Sequence, residues 1–168
     1  RAQIALYYSE ARKTDPELAK QASLNPAKLS FDELMYAAYI NYNYDTKLKY
    51  YKWATENYSS EWAGWNNAGA VSFYLGDYAE AENCFLEAVR NSAHLAEAYV
   101  QLGGLCLRRG DLDGCYHYNK EASQVRAKYP IPWANMGFVH LQRGEVDEAI
   151  SALHKALTWD PKYIQARA

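Results

Sequence analysis

No stretch of the sequence is apolar over the roughly 20 residues that a bilayer-spanning helix needs, which sets aside membrane insertion. A basic excess is also missing. Eighteen Lys and Arg stand against 20 Asp and Glu, a formal charge of -2, whereas a nucleic-acid surface needs cations in excess to displace counterions from phosphates. Cysteine is sparse: Cys84, Cys106 and Cys115 are odd in number and form no C-x-x-C pair. Neither a disulfide framework nor a zinc site is therefore expected. The four histidines (His94, His117, His140, His154) offer no i, i+4 pair for a metal-binding helix face. Gly103-Gly104 with Gly110 lacks both a preceding strand and the Lys-Ser/Thr of a phosphate loop. No nucleophile with a partnering base is identifiable, so neither a cofactor nor enzymatic activity is expected. Free buried thiols point to the cytoplasm. The chain begins at Arg1 without a methionine and is read as an excised piece, which leaves a periplasmic or secreted setting open.

What is present is the composition of a globular domain, 49% hydrophobic and 23% charged over 168 residues, with 16 tyrosines, nine of them before residue 60. An internal repeat organises it. Trp65, Tyr99 and Trp133 are spaced by 34 residues. Gly69, Gly103 and Gly137 keep the same spacing, as do Gly76, Gly110 and Gly144 and the acids that follow them, Asp77, Asp111 and Glu145. Ala81, Cys115 and Ala149 form a further column, then Phe85, Asn119 and Leu153, then Ala88, Ala122 and Ala156. Each period reads as two helices: apolar residues recur at helical spacing up to Leu75, Gly76-Asp77 breaks the pattern, and Tyr78–Val89 resumes it. The loop is short enough only for antiparallel neighbours. Glycine inside a helix costs about 1 kcal/mol, so Gly69, Gly103 and Gly137 imply close helix crossings against Ala81, Cys115 and Ala149.

These columns resemble the tetratricopeptide repeat family over residues 62–95, 96–129 and 130–163, the last closing on Asp160-Pro161. The resemblance implies an all-α, right-handed superhelical solenoid of antiparallel helix pairs. Residues 28–61 keep the period in weaker form, with Tyr42 in place of the turn glycine and Lys47 in place of the small crossing residue, which predicts a looser hairpin. Residues 1–27 read as a divergent or capping helix pair, Ala2–Lys13 and a second helix from Asp15-Pro16 to Asn25-Pro26. Residues 164–168 begin a further helix.

In a solenoid the first helix of every pair lines the concave side, and the resemblance implies that peptides lie there. Its lining positions are Tyr36, Tyr39 and Ile40; Asn66, Ala70, Phe73 and Tyr74; Glu97, Val100, Gly104, Leu107 and Arg108; and Ile131, Ala134, Phe138, Leu141 and Gln142. Small residues alternate with large apolar ones, which suits apolar or aromatic anchors of a partner. A polar column, Glu33, Asn67, Gln101 and Asn135, either holds a peptide backbone or bridges neighbouring helices. Chaperone-binding members hold a C-terminal carboxylate with a clamp of lysine, asparagine and arginine. Here those positions carry Asp32, Tyr36, Asn67, Glu97 and Gln101, so that role is rejected. Lys47, Lys49 and Lys52 interleave with Tyr50, Tyr51 and Trp53, read as a solvated face and packing aromatics. The expected function is a scaffold binding a peptide or helix of a protein partner. The alternatives are a self-stacking homo-oligomer, whose apolar end would include Trp159, Tyr163 and Ile164, and a substrate-recruiting segment of a larger protein.

Overall fold

The computed structural model describes residues 14–162, and nine α-helices make up most of them. They are α1 (Asp15–Leu24), α2 (Phe31–Ile40), α3 (Tyr44–Asn57), α4 (Trp62–Leu75), α5 (Tyr78–Asn91), α6 (Ala96–Arg108), α7 (Leu112–Val125), α8 (Pro130–Arg143) and α9 (Val146–Trp159). The expected helix at Ala2–Lys13 and the one beginning at residue 164 lie outside the described residues. The chain forms two compact units, Arg1–Cys84 and Phe85–Ala168. In the first, α1 packs on α2, α2 on α3 and α3 on α4; in the second, α6 packs on α7, α7 on α8 and α8 on α9.

Local chemistry sets the helix ends. Thr14 opens α1, its backbone N–H donating to Glu17 Oε2 at 2.8 Å, and Pro16 in the first turn needs no donor. Ser30 and Glu33 exchange side chain for backbone in a capping box at α2, at 3.3 and 3.0 Å. The two thiol-free turns and the one beside Cys106 share a single geometry. Gly76, Gly110 and Gly144 have φ of 87°, 79° and 75°, the left-handed region that costs other residues roughly 1–2 kcal/mol. The acid after each returns its N–H to the helix: Asp77 to Ser72 O, Asp111 to Cys106 O and Glu145 to His140 O, each at 2.9 Å. Asp77 and Asp111 then cap the next helix by accepting from the N–H groups of Glu80 and Gly114.

At residues 40–44 tyrosine replaces that glycine, and the turn changes. Helix α2 stops at Ile40, Asn41 is extended (φ -74°, ψ 133°), and Asn43 caps α3 by accepting from Thr46 N at 2.8 Å. Tyr42 does not adopt the left-handed backbone of the three glycines. Lys47, in the crossing column, does not enter the hairpin core; its Nζ donates to Tyr39 O at 3.1 Å.

The cores follow the repeat columns. In the first unit Leu18, Leu34, Ala38, Tyr50, Tyr51, Ala54 and Ala68 are buried together, with Trp53 and Trp65 packed against them. In the second, a Cβ added to Gly137 would lie 2.8 Å from Leu153 Cγ and 3.4 Å from Ala149 O, and one on Gly103 would lie 2.3 Å from Asn119 Nδ2. Close crossing is thus the physical reason for both glycines. Trp65 and Trp133 anchor their helices alike, donating through Nε1 to Ser59 O and Ala127 O, six residues back.

Candidate functional site

The side chains expected on the ligand-facing surface all fall on first helices of pairs, α2, α4, α6 and α8, and none of them is fully buried. Helical spacing explains this: these positions lie opposite the stripe (Leu34, Ala38, Ala68, Leu102, Val139) that packs into the hairpins. Tyr39, Tyr74, Phe138 and Leu141 are the most open, at 60, 66, 41 and 48% exposure, large rings and an aliphatic chain left in water without a hairpin to cover them. Ala70, Gln101, Arg108 and Gln142 are exposed as well, while Asn66, Phe73, Val100, Gly104, Ile131 and Ala134 are half-buried. Tyr36 and Leu107 are half-buried because they also pack against their units' cores. Burial and a hydrogen bond to Asp15 raise the Tyr36 hydroxyl above its ordinary pKa. Glu97 forms an ion pair with Arg126 at 2.5 Å, at the end of α7.

The polar column does not act as one row. Glu33 is engaged in its capping box. Asn135 Nδ2 donates to Asn119 Oδ1 at 2.9 Å, joining α8 to α7. Asn67 Oδ1 takes a long contact, 3.5 Å, from Asn66 Nδ2, and Gln101 faces solvent. At Asn135, then, the amide bridges neighbouring helices.

Asn119 was not singled out by sequence beyond its column, yet it is the only fully buried amide among the described residues. It occupies the place of Phe85 and Leu153, and Gly103 opposite gives it room. Its amide donates to Cys115 O at 2.8 Å and its oxygen accepts from Asn135. Cys84, Cys106 and Cys115 are buried and none is in a disulfide, and burial pushes the Cys115 thiol up to about 11, so it carries little thiolate at neutral pH. His140 Nδ1 lies 2.6 Å from Glu145 Oε2, with its ring edge-on to Tyr116. It is a satisfied half-buried residue. Among the described residues no three His, Cys, Asp or Glu converge as metal ligands, and no helix is long and apolar enough to cross a membrane.

A second exposed aromatic group lies in the first unit, where the sequence signal was only the early crowding of tyrosines. Tyr44, from the first turn of α3, stacks on Tyr74 at 4.1 Å, and Tyr36 stacks on Tyr39 at 6.3 Å. Lys47 Nζ sits over both Tyr39 and Tyr44, 5.9 and 5.7 Å from their centroids. Of the three interleaved lysines, Lys47 is thus held by ring faces and a carbonyl, Lys52 pairs with Glu80 at 2.7 Å, and Lys49 is exposed. Tyr50 and Tyr51 are buried, as packing residues should be.

The repeat pattern recurs in known proteins. Residues 62–92 and 130–163 match the tetratricopeptide repeat. BBSome complex member BBS4 of Bos taurus is 26% identical over 122 residues, covering 71% of this chain and 23% of that protein. Tetratricopeptide repeat protein 8 of Mus musculus is 26% identical over 103 residues, 61% of this chain and 20% of the relative. The chain therefore spans only about a fifth of the length of these relatives. Among solved structures, MamA superposes with a TM-score of 0.78 at 16% identity, over 92% of this chain and 90% of that one. YrrB, described as a TPR protein with an unusual peptide-binding site, gives a TM-score of 0.73 at 20% identity, over 91% and 79%. The chain thus carries tetratricopeptide repeats at residues 62–92 and 130–163, and its fold is the all-α helix-pair fold of these solved structures. The class of function that goes with this fold is a protein-protein interaction scaffold.

Proposed function

We propose that the exposed faces of the first helices bind a peptide or helix of a protein partner, and that the chain acts by binding rather than by catalysis. The observation that carries this reading is the set of large apolar side chains left in water on α8, Phe138 and Leu141, with Ala134 one turn away from Phe138. An exposed ring beside a small residue offers both an anchor and a depression for a partner's side chain. The test is to capture a partner with the 168-residue chain, map the bound segment, and titrate it against variants. Phe138→Ala should weaken it by about 2 kcal/mol or more, with helical content unchanged by circular dichroism. Undiminished affinity in Phe138→Ala and Leu141→Ala would defeat the proposal. The buried thiols, none of them in a disulfide, support a reducing, cytoplasmic setting, which recovery of the tagged full-length protein from a secreted fraction would overturn.

A second reading is favoured by α9, which leaves Val146, Ile150, Leu157 and Trp159 exposed. On α7 the matching positions of the first two, Leu112 and Tyr116, pack against the buried cluster of Cys106, Cys115 and Val139. A second copy of the chain could use the α9 stripe in the same way. Sedimentation of the parent and of Ile150→Glu decides this: a dimer dispersed by the substitution supports it, and a monomer at all concentrations excludes it.

A further inference from the structure

We propose that Tyr44 and Tyr74 form an oxidative modification site, where a one-electron oxidant fed by hydrogen peroxide joins their rings as dityrosine and staples α3 to α4. Tyr44 opens α3, and Tyr74 stands in the last turn of α4. Their rings stack with centroids 4.1 Å apart and planes inclined by 25°, the closest aromatic pair among the described residues. Both reach water, at 40 and 66% exposure, so an oxidant can meet either ring. Other tyrosines lack this combination: Tyr36 and Tyr39 lie 6.3 Å apart on one helix, and Tyr50 and Tyr51 are buried. Tyr42 is more exposed still, which suits coupling between copies rather than within one.

The chemistry needs two phenols held together. Each ring gives one electron to the oxidant and its hydroxyl proton to water. This leaves two neutral phenoxyl radicals, with unpaired spin on the ring carbons beside the one that bears oxygen. A bond between one such carbon of Tyr44 and one of Tyr74 pairs the two electrons. Each bonded carbon then gives up its hydrogen as a proton while its oxygen takes one back, which restores both hydroxyls and both aromatic rings. The two electrons and two protons released reduce one hydrogen peroxide to two waters. The stack holds the rings in contact before either radical forms, so an intramolecular step replaces a collision between rare species. Joining them needs the rings only to slide and tilt, because their centroids are already about as far apart as those of two directly bonded rings. The bond closes the chain across α3 and α4 and restricts its unfolded state, as any crosslink does. Thiol reductants do not cleave a carbon–carbon bond, so the staple is compatible with cysteines kept out of disulfides.

The experiment exposes the dilute 168-residue chain to a haem peroxidase and hydrogen peroxide, with dithiothreitol added afterwards to remove any disulfide. The monomer should gain dityrosine fluorescence and lose two hydrogen atoms in mass, and peptide mapping should place the link between Tyr44 and Tyr74. Tyr44→Phe and Tyr74→Phe keep the stacked ring but lack the hydroxyl, so the fold is retained while the yield within the monomer falls about tenfold or more. Tyr42→Phe and Tyr39→Phe should leave that yield unchanged. The isolated crosslinked monomer should melt several degrees above the untreated chain, followed by circular dichroism. The inference is overturned by dityrosine that appears only between copies, by a link mapped mainly to other tyrosines, or by a yield that persists in Tyr44→Phe or Tyr74→Phe. An unraised melting temperature would likewise overturn the staple, since a bond made in place cannot leave the unfolded chain as free as before.

Discussion

Replacing Asn135 by alanine should destabilise the second unit, although the side chain sits on the face where a ligand would be expected. Asn119 is fully buried, and its oxygen has Asn135 Nδ2 as its partner at 2.9 Å. Its own amide is already committed to Cys115 O. Asn135→Ala strands that oxygen away from water, and an orphaned buried acceptor costs about 1–3 kcal/mol. In a chain of this size each kcal/mol lowers Tm by roughly 2–4 °C. Asn119→Leu supplies the control, since leucine fills the equivalent place at Leu153 against Gly137. Once Asn119 is apolar nothing is left to strand, so adding Asn135→Ala to Asn119→Leu should cost less than about 0.5 kcal/mol, a coupling well outside additivity. Urea unfolding followed by circular dichroism on the four proteins measures it. A cost below about 0.5 kcal/mol for Asn135→Ala alone, or strict additivity in the cycle, would refute the claim that this amide bridges α7 and α8. The result bears on function, because any loss of affinity in Asn135→Ala must be corrected for stability, whereas Gln101→Ala is free of that complication.

Other consequences are as direct. Gly137→Leu should overpack the crossing against Leu153 and cost about 1–3 kcal/mol or more, while Lys47→Leu, whose side chain lies outside the hairpin core, should cost much less; equal thermal shifts would contradict the assigned register. Gly76→Ala places a Cβ in open space but at φ 87°, so calorimetry should record a loss of about 1–2 kcal/mol from backbone conformation alone. Changing all three cysteines to alanine should leave partner affinity intact, and alkylation of native Cys115 should stay slow at neutral pH, because the thiol is buried and its pKa is raised by that burial; rapid modification at pH 7 would show that the thiol is accessible. Lys52 is held above the usual lysine range, chiefly by its bond to Glu80. The pair's contribution is therefore complete below the unfolded lysine pKa and fades as pH rises through the folded one. Stability of Lys52→Met relative to the parent, measured by urea titration from pH 8 to 12, should show a deficit that shrinks toward the alkaline end.

Sequence alone determined whatever a residue imposes on its own backbone or on a neighbour one turn away. A glycine before an acid signals a left-handed turn because other residues pay for that conformation locally, and Gly76, Gly110 and Gly144 all adopt it. Periodic small residues implied close crossings because a Cβ at Gly103 or Gly137 has nowhere to go. That the candidate side chains on α2, α4, α6 and α8 stay out of the hairpin cores was likewise legible, since helical period fixes which side chains oppose the packed stripe. Tertiary structure decided which polar groups meet. Nothing in the spacing of Asn119 and Asn135 says whether the second faces a ligand or the first, and only the packing of α8 on α7 brings them to hydrogen-bond distance. The exposed tyrosine group of the first unit was hidden for the same reason: Tyr39, Tyr44 and Tyr74 come from three helices, and only their packing stacks Tyr44 on Tyr74 and sets Lys47 over Tyr39 and Tyr44.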